Sequence, residues 1–154
     1  MIVVDSNVIA YCWIRGERNE MAQRVRRQDP AWHVPILWRS ELCSALAGYV
    51  RQGTFTAEDA AAVMAAIEAE LAGCEHQVSS SRVLELAAFT RLSSYDCELV
   101  ALAQALAVPF VTEDAALLKA FPEISLDMEA YLAAFGASPP TAHQRVARYR
   151  TAVV

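Results

Sequence analysis

Four acidic residues stand at or near the predicted ends of helices and strands, where their side chains could act together. They are Asp5, Glu41, Asp96 and Asp114. If they converged, each pair about 5 Å apart would repel by roughly 3 kcal/mol at an effective dielectric constant near 20. Such a cluster implies a bound cation or a bound proton. Carboxylate oxygens suit Mg²⁺ or Mn²⁺, either of which could activate a water molecule and stabilise negative charge on a phosphodiester.

Each acid taken singly also has an ordinary structural explanation. Asp96 and Asp114 could cap the N-termini of helices, a contribution of about 1 kcal/mol each. Asp5 could be a turn residue, and Glu41 a solvated position on a helix. The sequence leaves both explanations open for every one of them.

Residues beside the four acids divide into possible supports and ordinary surface charges. Ser6, Asn7 and Thr112 could orient a carboxylate or a water molecule, although each is also a common turn or cap residue. Glu98 and Glu113 flank two of the acids and are expected to be solvated charges near helix starts. We therefore expect any ligand site to be built from the four acids and these three polar neighbours.

The elements that must position these residues alternate between short strands and helices. Strands are predicted over residues 2–4, 32–36, 75–78, 108–111 and 124–126. Helices are predicted over residues 8–14, 20–27, 38–50, 57–71, 81–92, 96–106, 115–121 and 128–135. This alternation is typical of an α/β fold with a parallel sheet covered on both faces. In such a sheet ligands bind outside the carboxyl ends of the strands, where Asp5 and Asp114 are expected.

The chain of 154 residues is long enough for one domain with its own core. After Gly136 the residues Ala-Ser-Pro-Pro-Thr at 137–141 read as a break. We therefore predict a single domain over residues 1–136 and an Arg-bearing tail over residues 137–154.

Charge and composition limit the possible partners. The net charge of -5 argues against broad non-specific attraction to a polyanion. Because 12 of the 13 basic residues are arginine, local patches that grip phosphate remain possible, and a nuclease is not excluded. The cysteines lack zinc spacing, and the isolated histidines lack a Ser or Cys pattern for a nucleophilic triad. No secretory signal and no apolar run of about 18 residues is present, so we expect a cytoplasmic protein without a membrane span.

Four short motifs, in this order along the chain, resemble those of the PIN-domain ribonucleases. They are Asp5-x-Asn7 after the first strand, Ser40-Glu41-Leu42 on the third helix, Ser94-Tyr95-Asp96 at a helix start, and Thr112-x-Asp114-x-x-Leu117 after a later strand. The resemblance covers roughly residues 1–126. The single-domain size resembles the VapC toxins of bacterial and archaeal toxin–antitoxin pairs.

This resemblance implies a three-layer α/β/α fold with a parallel sheet of about five short strands. It implies an endoribonuclease that cleaves RNA by in-line attack of water and depends on Mg²⁺, for which Mn²⁺ can substitute. The residues that it implies as catalytic and metal-binding are Asp5, Glu41, Asp96 and Asp114, with Asn7 and Thr112 in support. It also implies a homodimer and a cognate antitoxin whose tail lies over the active site.

Two other classes of protein remain open. An Asp-based phosphatase or other phosphotransfer domain also places Asp after the first strand. The haloacid-dehalogenase kind needs a second acid where Asn7 stands, and the response-regulator kind needs a Lys after a late strand, whereas Lys119 is predicted inside a helix. A non-catalytic binding module would use the acids only as caps, and a rise in melting temperature with Mn²⁺ or Mg²⁺ would speak against it.

Overall fold

A computed structural model describes residues 1–136 of the chain. The strands are β1 (Ile2–Val4), β2 (Trp32–Pro35), β3 (Glu75–His76), β4 (Phe110–Val111) and β5 (Ser125–Leu126). The helices are α1 (Ser6–Trp13), α2 (Asn19–Gln28), α3 (Trp38–Arg51), α4 (Ala57–Glu70), α5 (Ser80–Phe89), α6 (Ser94–Leu106), α7 (Ala115–Ala120) and α8 (Met128–Phe135). Every predicted element is present; β1 and α8 have the predicted ends, and the ends of the others differ by at most three residues. The predicted tail, residues 137–154, lies outside the described residues.

The strands form one sheet in the order β3-β2-β1-β4-β5, and all neighbours run parallel. The first strand therefore lies in the centre, where Val3 is in register with His33 on one side and Phe110 on the other. Parallel strands need crossover connections, which the helices supply. The predicted α/β fold with a five-stranded parallel sheet is confirmed.

Alternate side chains of the central strand face different layers. Ile2 and Val4 pack with residues of α1, α2, α3, α4 and α8, whereas Val3 packs with residues of α5, α6 and α7. The neighbouring strand β4 divides in the same way, with Val111 in the first core and Phe110 in the second. Helices thus cover both faces of the sheet. Among the described helices, none has the length and apolarity to cross a bilayer.

The carboxyl ends of β1 and β4 lie side by side. The backbone N–H of Asp5 donates to the carbonyl oxygen of Val111 at 3.0 Å. In the same way the N–H of Thr112 donates to the carbonyl of Leu126 on the other side, at 3.0 Å. This pairing brings the first residues after both strands to one edge of the sheet.

Helix α6 begins differently from the sequence-based expectation. Asp96 was a candidate N-cap, but the N-cap is Ser93, and Asp96 stands three residues later. Its Oδ2 accepts bonds from the Ser93 N–H at 3.1 Å and from the Ser93 hydroxyl at 2.7 Å, which completes a capping box. The helix ends at Ala107, which takes the left-handed conformation with φ 52°, just before Val108 and Pro109.

Candidate active site

A cavity of about 570 Å³ opens at the carboxyl end of the central strands, and all four candidate acids line it. Asp5 comes from the end of β1, Glu41 from the first turn of α3, and Asp96 from the first turn of α6. Asp114 is the N-cap of α7. The fold therefore brings together residues that are far apart in the sequence. Ser6 and Asn7 also line the cavity.

Asp5 is the most buried of the four acids, with 6% of its surface exposed. Its Oδ1 accepts the N–H of Asn7 at 3.1 Å, and its Oδ2 accepts the hydroxyl of Thr112 at 2.6 Å. Burial raises the pKa of Asp5, and the charges of Asp114 and Asp96 raise it further, while these two hydrogen bonds oppose the rise. The carboxylate is thus fixed in orientation but costly to keep charged.

Thr112 connects Asp5 to the loop that carries Asp114. It is fully buried, and its hydroxyl accepts the N–H of Asp114 at 3.0 Å while donating to Asp5. One hydroxyl therefore sets the positions of two acids. The predicted supporting place of Thr112 agrees with this geometry, although its part in a reaction stays a prediction.

Glu41 is half-buried and accepts a hydrogen bond from the hydroxyl of Ser6 through Oε2. Burial raises the pKa of Glu41, the charges of Asp5, Asp96 and Glu98 raise it further, and the Ser6 bond opposes the rise. The small residues Ser44 and Ala45, one turn further along α3, also line the cavity and leave it open beside the carboxylate.

Asp96 and Asp114 both cap helices, but each does so with a single oxygen. Asp114 accepts the N–H groups of Ala116 and Leu117 through Oδ1, at 2.7 and 3.1 Å. Asp96 accepts both of its bonds through Oδ2. Within residues 1–136, Oδ1 of Asp96 and Oδ2 of Asp114 have no hydrogen-bond donor from the protein. A capping role and a ligand role are therefore compatible for both acids.

No cation of the described chain neutralises the four acids. The ion pairs between described residues all involve other carboxylates. No Lys, Arg or His of residues 1–136 lines the cavity. Carboxylate oxygens without a protein counter-ion are the donor set that Mg²⁺ or Mn²⁺ takes. The chemistry of the residues present therefore fits a hard divalent cation.

The carboxylates line the cavity without closing around one point. Within residues 1–136, no three His, Cys, Asp or Glu side chains are grouped closely enough to enclose a metal ion as they stand. Burial is the main cause of the raised pKa values of Asp5 and Glu41, and the charges of the neighbouring acids raise them further. Repulsion between these carboxylates favours such an open arrangement. An ion bound here would keep several water ligands, as Mg²⁺ usually does.

Two residues that belong to this region had no assigned role in the sequence. Glu113, expected to be solvated, has only 15% of its side chain exposed. Its Oε1 accepts the N–H of Met128 at 3.0 Å, and its Oε2 pairs with Arg18. That expectation was wrong because both partners are distant in sequence. Tyr95, which is 58% exposed, lines the cavity beside Asp96. The signal that could have identified it as a site residue is its position in the Ser94-Tyr95-Asp96 motif.

Comparisons with known proteins agree with the architecture. The PIN domain family model matches residues 2–122, a span that includes all four candidate acids. No curated protein matches the chain. The crystal structure of PAE2754 from Pyrobaculum aerophilum is similar with a TM-score of 0.71 and 18% sequence identity, over 89% of this chain and 97% of that chain. At this identity the likeness shows the fold alone.

Proposed function

This chain belongs to the PIN domain family, and from that premise we propose that it is a metal-dependent endoribonuclease that serves as the toxin of a toxin–antitoxin pair. The PIN domain is generally a nuclease fold. One observation carries the proposal for this chain: four carboxylates line a single cavity at the carboxyl ends of parallel strands, and no cationic side chain of residues 1–136 lines it with them. A cluster of this kind is costly unless a cation neutralises it.

In the proposed site, Asp5, Glu41, Asp96 and Asp114 hold Mg²⁺ or Mn²⁺. The ion, when bound, supplies positive charge for the phosphodiester and lowers the pKa of the attacking water. Thr112 holds Asp5, and the hydroxyl of Ser6 holds Glu41, so that these two side chains keep their orientation.

The other two acids are held by their own helices. The capping bonds keep the Oδ2 atom of Asp96 and the Oδ1 atom of Asp114 in place. The second oxygen of each acid remains available to a ligand. Side chains on the ends of regular elements are positioned more precisely than side chains on free loops.

The remaining features of the proposal rest on family resemblance. A single-domain chain of this type resembles the VapC toxins, from which we infer an RNA substrate, a cognate antitoxin, a homodimer and a cytoplasmic location. The phosphotransfer alternative is less well supported, because Lys119 lies inside α7 and does not line the cavity, and position 7 is Asn.

The proposal is tested by incubating the purified, antitoxin-free protein with structured and unstructured RNAs, with Mn²⁺, with Mg²⁺ and with a chelator. We expect cleavage with either ion and none with the chelator. Asp5→Asn keeps the capping geometry but removes the charge, and it should abolish cleavage while the protein stays folded. Full activity of Asp5→Asn, or metal-independent cleavage by the unaltered chain, would overturn the site assignment.

A further inference from the structure

A second, smaller cavity of about 260 Å³ lies at the other end of α1. The residues that line it come from α1, from the connection between α1 and α2, from the first residue of α2, and from α3. Tyr11 and Tyr49 supply aromatic rings, and Arg15 and Arg18 supply guanidinium groups. Glu17 is the one carboxylate among the residues that line it. This composition contrasts with the acidic cavity, where four carboxylates and no basic side chain of the described residues are found.

The two cavities follow one another along the same pair of helices. On α1, Asn7 lines the acidic cavity, and Tyr11, four residues later, lines the second one. On α3, Ala45 and Tyr49 have the same relation. Residues four apart share one face of a helix and are separated by about 6 Å along its axis. The second cavity therefore begins about one helical turn beyond Asn7 and Ala45, and about two turns, or roughly 12 Å, beyond Glu41 along α3.

Arg18 lines the second cavity and has two partners that hold it there. Its guanidinium carbon lies 5.7 Å from the centre of the Tyr11 ring, and its NH1 pairs with Glu113, the neighbour of Asp114. About half of the Arg18 side chain remains exposed. A guanidinium plane held in this way is a surface on which a nucleobase can stack.

Arg15 provides a positive charge that no described residue neutralises. It is exposed, and within residues 1–136 it forms no ion pair or hydrogen bond. The end of α1 and the start of α2 form the wall of the cavity beside Arg15. The side chain of Asn19 holds them together, because it donates to the carbonyl oxygens of Tyr11 and Cys12 at 2.8 and 3.0 Å. An unpaired guanidinium on a fixed wall is suited to bind a phosphate.

We propose that this second cavity is a nucleotide subsite, in which Arg15 binds a backbone phosphate and the Arg18–Tyr11 stack receives a base of the RNA strand that flanks the scissile bond. The inference rests on the proposed nuclease function. A chain with net charge -5 needs such a local positive site, since RNA is repelled by the acids and by the protein as a whole.

The subsite is tested by RNA binding in an Asp5→Asn background, in which no strand should be cut. The probe is a fluorescently labelled single-stranded RNA of mixed sequence, followed by anisotropy at several salt concentrations. Arg15→Glu is expected to weaken binding at least about 10-fold and to reduce the salt slope by about one. The matched control is Arg24→Glu on α2, which is also exposed and lines neither cavity.

Arg24→Glu changes the net charge equally and should stay within about twofold of the parent protein. An equal loss of RNA affinity in both variants would show that the effect comes from the overall charge, and it would overturn the subsite proposal. Unchanged affinity of Arg15→Glu would likewise overturn it.

Cleavage kinetics with Asp5 intact separate the subsite from the proposed function. Arg15→Glu should raise KM for the RNA and leave kcat unchanged, because Arg15 lies outside the acidic cavity. If the unaltered protein cleaves RNA and Arg15→Glu has the same KM, the subsite is wrong and the nuclease proposal stands. If the unaltered protein cleaves no RNA with any divalent ion, the nuclease proposal fails, and the subsite fails with it.

Discussion

Two helices of this protein begin with the same local device in different surroundings. At α4 the hydroxyl of Thr56 lies 2.7 Å from Oδ2 of Asp59, and at α6 the hydroxyl of Ser93 lies 2.7 Å from Oδ2 of Asp96. Both are complete capping boxes with Asp at the third helical position. Asp59 is exposed, and its hydrogen bonds from Thr56 lower its pKa. Asp96 is half-buried and lines the acidic cavity with three other acids.

The difference between the two boxes lies in the tertiary structure. No residue of either box distinguishes a structural Asp from one that can hold a ligand. What distinguishes Asp96 is its proximity to Asp5 and Glu41, whose pKa values its charge raises. The two boxes therefore form a matched pair, in which capping is held constant and the surroundings change.

The largest expected effect is a difference in RNA cleavage between variants of Asp96 and Asp59. Asp96→Asn should reduce RNA cleavage by at least about 100-fold, since altering even the outer partners of metal ligands costs about 10–100-fold. Asp59→Asn should leave the rate unchanged. Both variants should lower the melting temperature to a similar, small extent, because both weaken a capping box. Cleavage assays together with thermal unfolding check this, and equal rates for the two variants would remove Asp96 from the site.

A smaller effect is expected when the capping hydroxyls are removed instead. Ser93→Ala and Thr56→Ala should each cost about 1 kcal/mol of stability. Only Ser93→Ala should also slow cleavage, by about 10-fold, because Asp96 then loses the bond that fixes its Oδ2. The measurement is kcat at saturating Mn²⁺ for both variants. A similar decrease of kcat in Thr56→Ala would show that the effect comes from the lower stability of the protein and not from the position of the Asp96 side chain.

The sequence predicted these local features better than their distant partners. The Asp114 cap and the end of α6 before Pro109 depend on residues within a few positions of one another. Even so, Asp96 was the expected N-cap of α6, whereas the N-cap is Ser93, three residues earlier, because both residue types are favoured at that position. Element types were predictable for the same reason, while most of their ends moved by up to three residues.

Contacts between distant segments could not be predicted from a single sequence. Glu113 pairs with Arg18 across 95 positions, and nothing near either residue indicates it. His33 and His76, isolated in the sequence, lie 2.7 Å apart through Nδ1 and Nε2 because their strands are neighbours. The convergence of the four acids could be anticipated only because parallel strands end at one edge of a sheet. The open spacing of the four carboxylates in the cavity could not be anticipated.

The smallest expected effect concerns the pH dependence of the metal-free protein. The pKa of Asp5 is raised in the folded state, mainly by burial, so this carboxyl group binds its proton more tightly in the folded protein than in the unfolded chain. Stability therefore falls as the pH rises through the raised pKa and is recovered as the pH falls again. Asp59 contributes with the opposite sign, since its pKa is lowered.

Asp5→Asn removes this unfavourable charge. At about pH 7 in a chelator it should raise the melting temperature by about 2–4 °C, the equivalent of about 1 kcal/mol for a domain of this size. The gain over the unaltered protein should shrink as the pH falls through the raised pKa of Asp5, because the carboxyl group is then protonated and uncharged. Thermal unfolding from neutral to acidic pH measures the difference, in which the titrating groups distant from Asp5 cancel, whereas Glu41, whose pKa the Asp5 charge raises, changes with it. A lower melting temperature for Asp5→Asn at neutral pH would contradict the argument from burial.

Calorimetric titration with Mn²⁺ tests the central claim, that the four acids together form a metal site, most directly. The unaltered protein and Asp59→Asn should bind the ion alike, whereas Asp96→Asn should bind it at least about 10-fold more weakly. Binding to the first two should also release protons, and more of them as the pH is lowered from neutral, because the ion displaces protons from Asp5 and Glu41, whose pKa values are raised. The claim of a shared metal site would be contradicted if Asp96→Asn bound Mn²⁺ as tightly as Asp59→Asn and released as many protons.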